Sequence, residues 1–159
     1  MTKDGAPFKS KNQAALYPNC SIHDIEATDV IIISSFSDYN TVGTSTEAIE
    51  WLKKHNKKGA TIASICAGTY ILAETGLLNG KTATTHWGFA NDFRRKYPQI
   101  NLQPEKIITD EGVLLCSGGC SSYIDLSIYL VERYCGKNIA LESSKAMLHG
   151  YFFGCVVAA

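Results

Sequence analysis

Cys66 is the residue of this chain best placed to do chemistry, in the stretch Thr61-Ile62-Ala63-Ser64-Ile65-Cys66-Ala67-Gly68-Thr69-Tyr70-Ile71-Leu72-Ala73-Glu74. The residues before it are β-branched or small, the composition of a strand buried on both faces of a parallel sheet. Those after it suit a helix that Gly76 can end as the residue past its C-cap. A thiol at such a corner sits over the helix N-terminus, where unpaired N–H groups and the macrodipole favour an anion. That placement predicts a lowered pKa and available thiolate near neutral pH. It is the geometry of a nucleophile elbow, with sulfur in place of a serine oxygen. The competing reading is structural, because free cysteine is among the most buried residue types.

Two other groups are predicted to reach the same edge. His86 ends the strand-like run Lys81-Thr82-Ala83-Thr84-Thr85-His86, and Ser117-Gly118-Gly119 follows Val113-Leu114-Leu115-Cys116. In a parallel sheet the ligand site lies at the carboxyl ends of the strands, where all three would converge. His86 is read either as a proton carrier or as a satisfied core group. Trp87 is read as pocket wall or core. His23, His55 and His149 have no evident partners and are expected at the surface, and Asp125 is read as a helix cap.

The elements that must position these residues alternate between strand and helix. Residues 1–28 are polar and weakly patterned, a surface segment with room for one edge strand. Asp29-Val30-Ile31-Ile32-Ile33-Ser34 predicts a fully buried strand. Thr44-x-x-Glu47 has capping-box spacing ahead of an apolar stripe (Ala48, Ile49, Trp51, Leu52), and Lys53, Lys54, Lys57 and Lys58 make a solvated basic end before Gly59. After the Cys66 stretch, Leu77-Leu78-Asn79-Gly80 predicts a turn. Trp87 to Tyr97 predicts a helix with Phe89, Phe93 and Tyr97 on one side, stopped by Pro98. Lys106–Thr109 and Val113–Cys116 flank Asp110-Glu111-Gly112 as a hairpin. Ser122-x-x-Asp125 is a second capping signature, opening a well-buried helix through Tyr134; a last helix covers Ile139 to His149, and the tail Tyr151 to Ala159 is apolar without clear period. This alternation predicts an α/β domain with a mostly parallel sheet, a single unit over 1–159.

Composition narrows the function. Of the 159 residues 45% are apolar and 19% charged, with 15 Lys+Arg against 15 Asp+Glu. A balanced chain offers no basic stripe, which argues against nucleic-acid binding by this segment itself. No run approaches the roughly 18 apolar residues of a membrane span, and no signal peptide is read at the polar start. The six cysteines contain no CxxC pair and read as reduced cytoplasmic thiols. Cys116-x-x-x-Cys120 is half a metal site without a second Cys or His pair at ligand spacing, so neither metal nor cofactor is expected.

At these residues the chain resembles the ThiJ/PfpI family of the class I glutamine amidotransferase-like superfamily. The similar stretches are Ser64-Ile65-Cys66-Ala67-Gly68, the long block Leu72 to Trp87, and Ser117-Gly118-Gly119 followed by Ile124-Asp125-Leu126. Together they extend from about Asp29 to about Met147. The resemblance is strongest to the N-terminal sensor domain of AraC-type transcription regulators, and isocyanide hydratases share nearly the same block.

The resemblance implies a flavodoxin-like fold, usually dimeric, with Cys66 in the nucleophile position, His86 near it, and Ala67, Gly68, Trp87, Gly118 and Gly119 around a small-molecule ligand. Three departures qualify it. Ala67 stands where the family's proteases carry histidine. Ser34-Ser35-Phe36 stands where the family usually has a Gly-Gly loop facing the cysteine. The opening strand and helix that bring an acidic residue to the thiol have no counterpart here. Two functions follow as expectations. One is a ligand- or redox-sensing domain whose DNA contacts would lie in a separate helix-turn-helix module. The other is a small cysteine-dependent enzyme: a hydratase, amidase or deglycase using Cys66 and His86. Beside them stands the reading of a remnant domain with only a structural or dimerising role.

Overall fold

The computed structural model describes residues 1–10, 13–36, 45–150 and 156–158. At its start β1 (Phe8–Lys9) and β2 (Ala15–Leu16) form an exposed antiparallel ribbon, where one edge strand was expected. A 3-10 turn, Ile22–Asp24, follows, capped reciprocally by Ser21 and Asp24. The chain then runs through β3 (Val30–Ile33), α1 (Thr46–Lys57), β4 (Thr61–Ile65), α2 (Gly68–Glu74), β5 (Thr82–Ala83), α3 (Ala90–Lys96), β6 (Asn101–Leu102), β7 (Ile108–Asp110), β8 (Leu114–Ser117), α4 (Ser122–Cys135), α5 (Lys137–Ala146) and β9 (Val156–Ala158).

Five strands form the central sheet in the order β3-β4-β8-β7-β9. The β3-β4-β8 core is parallel, β7 pairs antiparallel with β8 as the predicted hairpin, and β9 runs parallel to β7. Strand alternation divides the core in two. Ile31, Ile62 and Leu114 pack with Leu52, Tyr70, Leu72 and Phe93 from α1, α2 and α3. On the other face Ala63, Ile108 and Leu115 pack against Leu126 of α4. This is the expected α/β architecture, a mostly parallel sheet between helical layers, of flavodoxin-like type.

Several local expectations are corrected. β3 is an edge strand, paired on one side only, and Ile32 is 53% exposed rather than fully buried. The run Lys81–His86 yields only Thr82–Ala83, which pairs with β6 outside the central sheet. Its remaining threonines bond elsewhere: Thr84 Oγ1 donates to the Lys106 carbonyl at 2.9 Å and Thr85 Oγ1 to that of Cys66. Trp87 to Tyr97 splits into a 3-10 turn, Trp87–Phe89, and the short α3. α4 is half covered, with Tyr123 and Tyr134 exposed.

The second capping box does not form as read, and the first rests on a residue that is not described. Thr44 lies outside the described residues, as do Tyr151–Cys155 and Ala159 of the tail. Ser45 takes the N-cap position of α1 with no side-chain bond, and Glu47 instead pairs with Lys3 and His23 at 2.8 and 2.9 Å. At α4 the N-cap is Ser121, again without a side-chain bond, and Asp125 accepts from or pairs with His149 at 3.0 Å. His55, expected at the surface, is 1% exposed. It packs against Trp51 with ring centroids 4.2 Å apart.

Candidate functional site

Parallel register brings the site together. Ile33, Ser64 and Cys116 are aligned across β3, β4 and β8. Two residues on, each strand has reached its carboxyl end, and Ser35, Cys66 and Gly118 stand side by side in sequence level. Here the chain leaves the sheet three times over neighbouring strands, the arrangement that opens a crevice at the carboxyl edge. An open cleft of about 460 Å³ lies there, lined by Ser35, Phe36, Cys66, His86, Phe89 and Cys120.

Cys66 forms the corner between β4 and α2 with φ of +53°, a left-handed backbone that a non-glycine residue adopts at a cost of roughly 1 kcal/mol or more. The surroundings hold it there. Its N–H donates to the Ser117 carbonyl at 2.8 Å, and its carbonyl accepts from the Thr85 hydroxyl at 2.8 Å. Gly68 completes the corner by close approach: a Cβ there would stand 2.5 Å from the Ile33 carbonyl oxygen. A second lattice of hydroxyls lies beneath. Ser64 and Thr69 share a hydrogen bond at 2.9 Å, and Thr69 Oγ1 donates to the Thr84 carbonyl at 3.0 Å.

The thiol is 3% exposed, and burial pushes its pKa up, against the expected lowering. The Ser35 hydroxyl and the Ala67 N–H act in the opposite direction but do not overcome desolvation, while the neighbouring Cys120 thiol adds to the rise. The physical reason is that α2 is short and its first turn is itself buried, so the helix-terminus effect does not offset the loss of water.

His86 lies in the same cleft, though not at the end of a sheet strand. It caps the 3-10 turn, its Nδ1 accepting from the Gly88 N–H at 3.1 Å. With Nδ1 engaged as acceptor, the neutral ring carries its proton on Nε2. Phe89 and Trp87 flank it, with centroids 5.2 and 5.5 Å away.

Of the remaining expected ligand-binding residues, Ala67 and Gly68 are buried behind the thiol. Gly118 is buried too; a Cβ on it would lie 2.9 Å from both the Lys106 carbonyl and Thr84 Oγ1, so only glycine fits there. Gly119 has open space around it. Trp87 is neither core nor wall: it is 74% exposed, outside the cleft lining. Ser35, Phe36, Phe89 and Cys120 were missed as site residues. The available signal was positional, since three of the four directly follow the carboxyl ends of strands adjacent to or including the partners of β4.

Among the described residues that line the cleft there is no carboxylate. Cys116 sits in the core beside Ser64 and Thr109, and Cys120 opens to the cleft. No described helix is long and apolar enough to cross a membrane.

Comparison with known proteins places this geometry among relatives. The model of the DJ-1/PfpI family matches residues 1–133. The HTH-type transcriptional regulator CdhR of Pseudomonas aeruginosa is 28% identical over 151 residues, 94% of this chain and 44% of the regulator. The isonitrile hydratase of Pseudomonas putida is 26% identical over 139 residues, 87% of this chain and 59% of the hydratase. The chain thus spans about half the length of these relatives. The crystal structure of an AraC family transcriptional regulator from Pseudomonas putida superposes with a TM-score of 0.75 at 18% identity, covering 91% of this chain and 77% of that one, a likeness of fold.

Proposed function

The chain belongs to the DJ-1/PfpI family, and from that premise we propose that it is a sensor domain, binding a small molecule in the Cys66 cleft without turning it over. The observation that carries this reading is the state of the thiol. Cys66 is buried, burial pushes its pKa up, and among the described residues lining the cleft none is a carboxylate that could draw off its proton. A nucleophile needs an adjacent base or a depressed pKa. In this arrangement His86 has its acceptor nitrogen, Nδ1, engaged by the Gly88 N–H rather than by the thiol.

The cleft suits binding instead. Its volume lies within the range of small-molecule sites, and it combines two aromatic walls with a hydroxyl, an imidazole and two thiols. The relationship to HTH-type regulators supports placing this single domain in a transcription regulator, acting as a cytoplasmic homodimer. DNA contacts then belong to a separate helix-turn-helix module. Sequencing the locus on both sides of the reading frame tests that assignment: an in-frame helix-turn-helix region supports it, and its absence removes its main support.

The second reading is a cysteine-dependent hydratase or related enzyme, favoured by the isonitrile hydratase relative. One experiment separates the two. The chain is screened by ligand-observed NMR against a small-molecule library, before and after carboxamidomethylation of Cys66, and is assayed with an alkyl isocyanide and a 2-oxoaldehyde. The sensor reading expects binders that alkylation displaces and no Cys66-dependent consumption of either substrate. Consumption abolished by Cys66→Ser establishes the enzyme.

A further inference from the structure

The Cys66 cleft holds a second thiol, to which the sensor reading assigns no chemistry of its own. Cys120 lies in the turn between β8 and α4, exposed to solvent, and lines the cleft with Cys66. The two cysteines face the same cleft, and the Cys120 thiol lies near enough to raise the Cys66 pKa. The backbone accounts for the meeting. The Cys66 N–H is bonded to the Ser117 carbonyl at 2.8 Å, fixing the corner of β4 to the end of β8, and Cys120 is three residues beyond that anchor. Gly119, between anchor and thiol, has nothing within 4 Å of where a Cβ would stand, so the turn has room to bring the sulfurs to bonding distance.

We propose that Cys66 and Cys120 are a reversible disulfide pair, formed by reaction with a hydroperoxide, that closes the cleft. The proposal deepens the sensor reading and rests on it: the oxidised state is the one in which a small molecule cannot enter between Phe36 and Phe89. The order of events follows from exposure. Thiolate is the reacting form, and Cys120 is the sulfur that solution reaches. The Cys120 thiolate attacks the distal peroxide oxygen. The O–O bond breaks, the alkoxide leaves and takes up a proton, and sulfur is oxidised to sulfenic acid. Cys66, deprotonated, then attacks the Cys120 sulfur. The S–S bond forms as the S–O bond breaks, and hydroxide leaves with the Cys66 proton as water. Two thiols and one hydroperoxide become one disulfide, one alcohol and one water. The Ser35 hydroxyl and Ala67 N–H, both aimed at the Cys66 sulfur, support its thiolate during the second step.

This arrangement differs from a lone reactive cysteine. A single exposed thiol proceeds to sulfinic acid under excess peroxide, whereas a resolving thiol in contact stops the sequence at the disulfide. Cys135, also exposed but at the far end of α4, serves as the control.

The test treats the reduced chain with one equivalent of hydrogen peroxide, counts thiols in denaturant, and maps the peptides. The expected result is loss of two thiols, a peptide linking Cys66 to Cys120, and full recovery with dithiothreitol. Cys135→Ser is expected to behave as the parent. In Cys66→Ser, dimedone is expected to label Cys120 as the trapped sulfenic acid; in Cys120→Ser no intramolecular link forms. Sulfinic acid on Cys66 with no linked peptide overturns the proposal, as does a link from Cys120 to any other cysteine. The sensor reading is scored separately on the fully reduced chain, where no disulfide exists. Binders there without a disulfide on oxidation sink the redox pair alone, and a disulfide without binders sinks the sensor reading alone.

Discussion

The hydroxyl of Thr85 donates to the carbonyl oxygen of Cys66 at 2.8 Å. This bond, fully buried, ties the loop carrying His86 to the corner carrying the thiol, although that loop belongs to no strand of the central sheet. The two side chains share a cleft because of it.

Thr85→Val keeps shape and removes the donor. The Cys66 carbonyl then retains only the weaker approach of the Thr69 N–H at 3.4 Å. The expected cost is about 1–2 kcal/mol, a loss typical of leaving a buried acceptor under-satisfied. Urea denaturation measures it as a lower midpoint at unchanged slope. A variant as stable as the parent removes this bond from the account.

Gly68→Ala tests the close approach at the start of α2. The added Cβ would meet the Ile33 carbonyl oxygen at 2.5 Å and that of Ser34 at 3.0 Å, both backbone atoms with little freedom to retreat. Overpacking of this kind costs about 1–3 kcal/mol. The same urea series reads it, and the expected variant is destabilised despite alanine's better helix propensity.

Acid stability reports on His55. Burial first, then the charges of Lys58 and Lys54, hold its pKa below the ordinary 6.5. The unfolded chain therefore binds the proton more readily than the folded one. The associated stability is fully present above 6.5 and is lost as pH falls from there toward the depressed folded value. His55→Leu is expected to flatten the midpoint-against-pH curve between pH 7 and 5. A parent curve already flat in that interval contradicts the prediction.

Ser35 is expected to act on the thiol rather than on the fold. Ser35→Ala removes a hydrogen bond that lowers the Cys66 pKa, so the thiolate fraction at a fixed pH falls and alkylation of Cys66 slows. An unchanged rate shows that the hydroxyl does not reach the sulfur in solution.

Much of this architecture is legible in the sequence. Runs such as Val30–Ile33 and Thr61–Ile65 have no pattern but that of parallel strands, and Gly76, with φ of +73°, ends α2 where a left-handed residue was read. The errors have a common cause in tertiary context. Ile32 was read as buried because β-branched runs are usually covered on both faces, and nothing local marks an edge. His55 reads as a surface residue because the sequence shows no partner for it, while the helix turns it onto Trp51. Strand-like Thr84 and Thr85 left the ladder because their hydroxyls found carbonyls on other elements.

The site shows the same division. Cys66 stands out in the sequence at a strand-to-helix transition, and the reading gains weight from His86 and Ser117-Gly118-Gly119 at the same predicted edge. Ser35, Phe36 and Cys120 became site residues only through the register of three strands, information that no single stretch contains. The direction of the thiol pKa was misread for a related reason: the N-terminus of a helix is a local feature, and desolvation is not.

The measurement that tests the central claim most directly is the pH dependence of Cys66 alkylation by iodoacetamide, assigned by comparison with Cys66→Ser. Burial holds the Cys66 thiol protonated near neutral pH, so the account predicts a rate still rising above the ordinary thiol range near 8.5. A plateau reached at or below neutral pH would show an activated nucleophile, contradict the sensor reading and point to the enzyme.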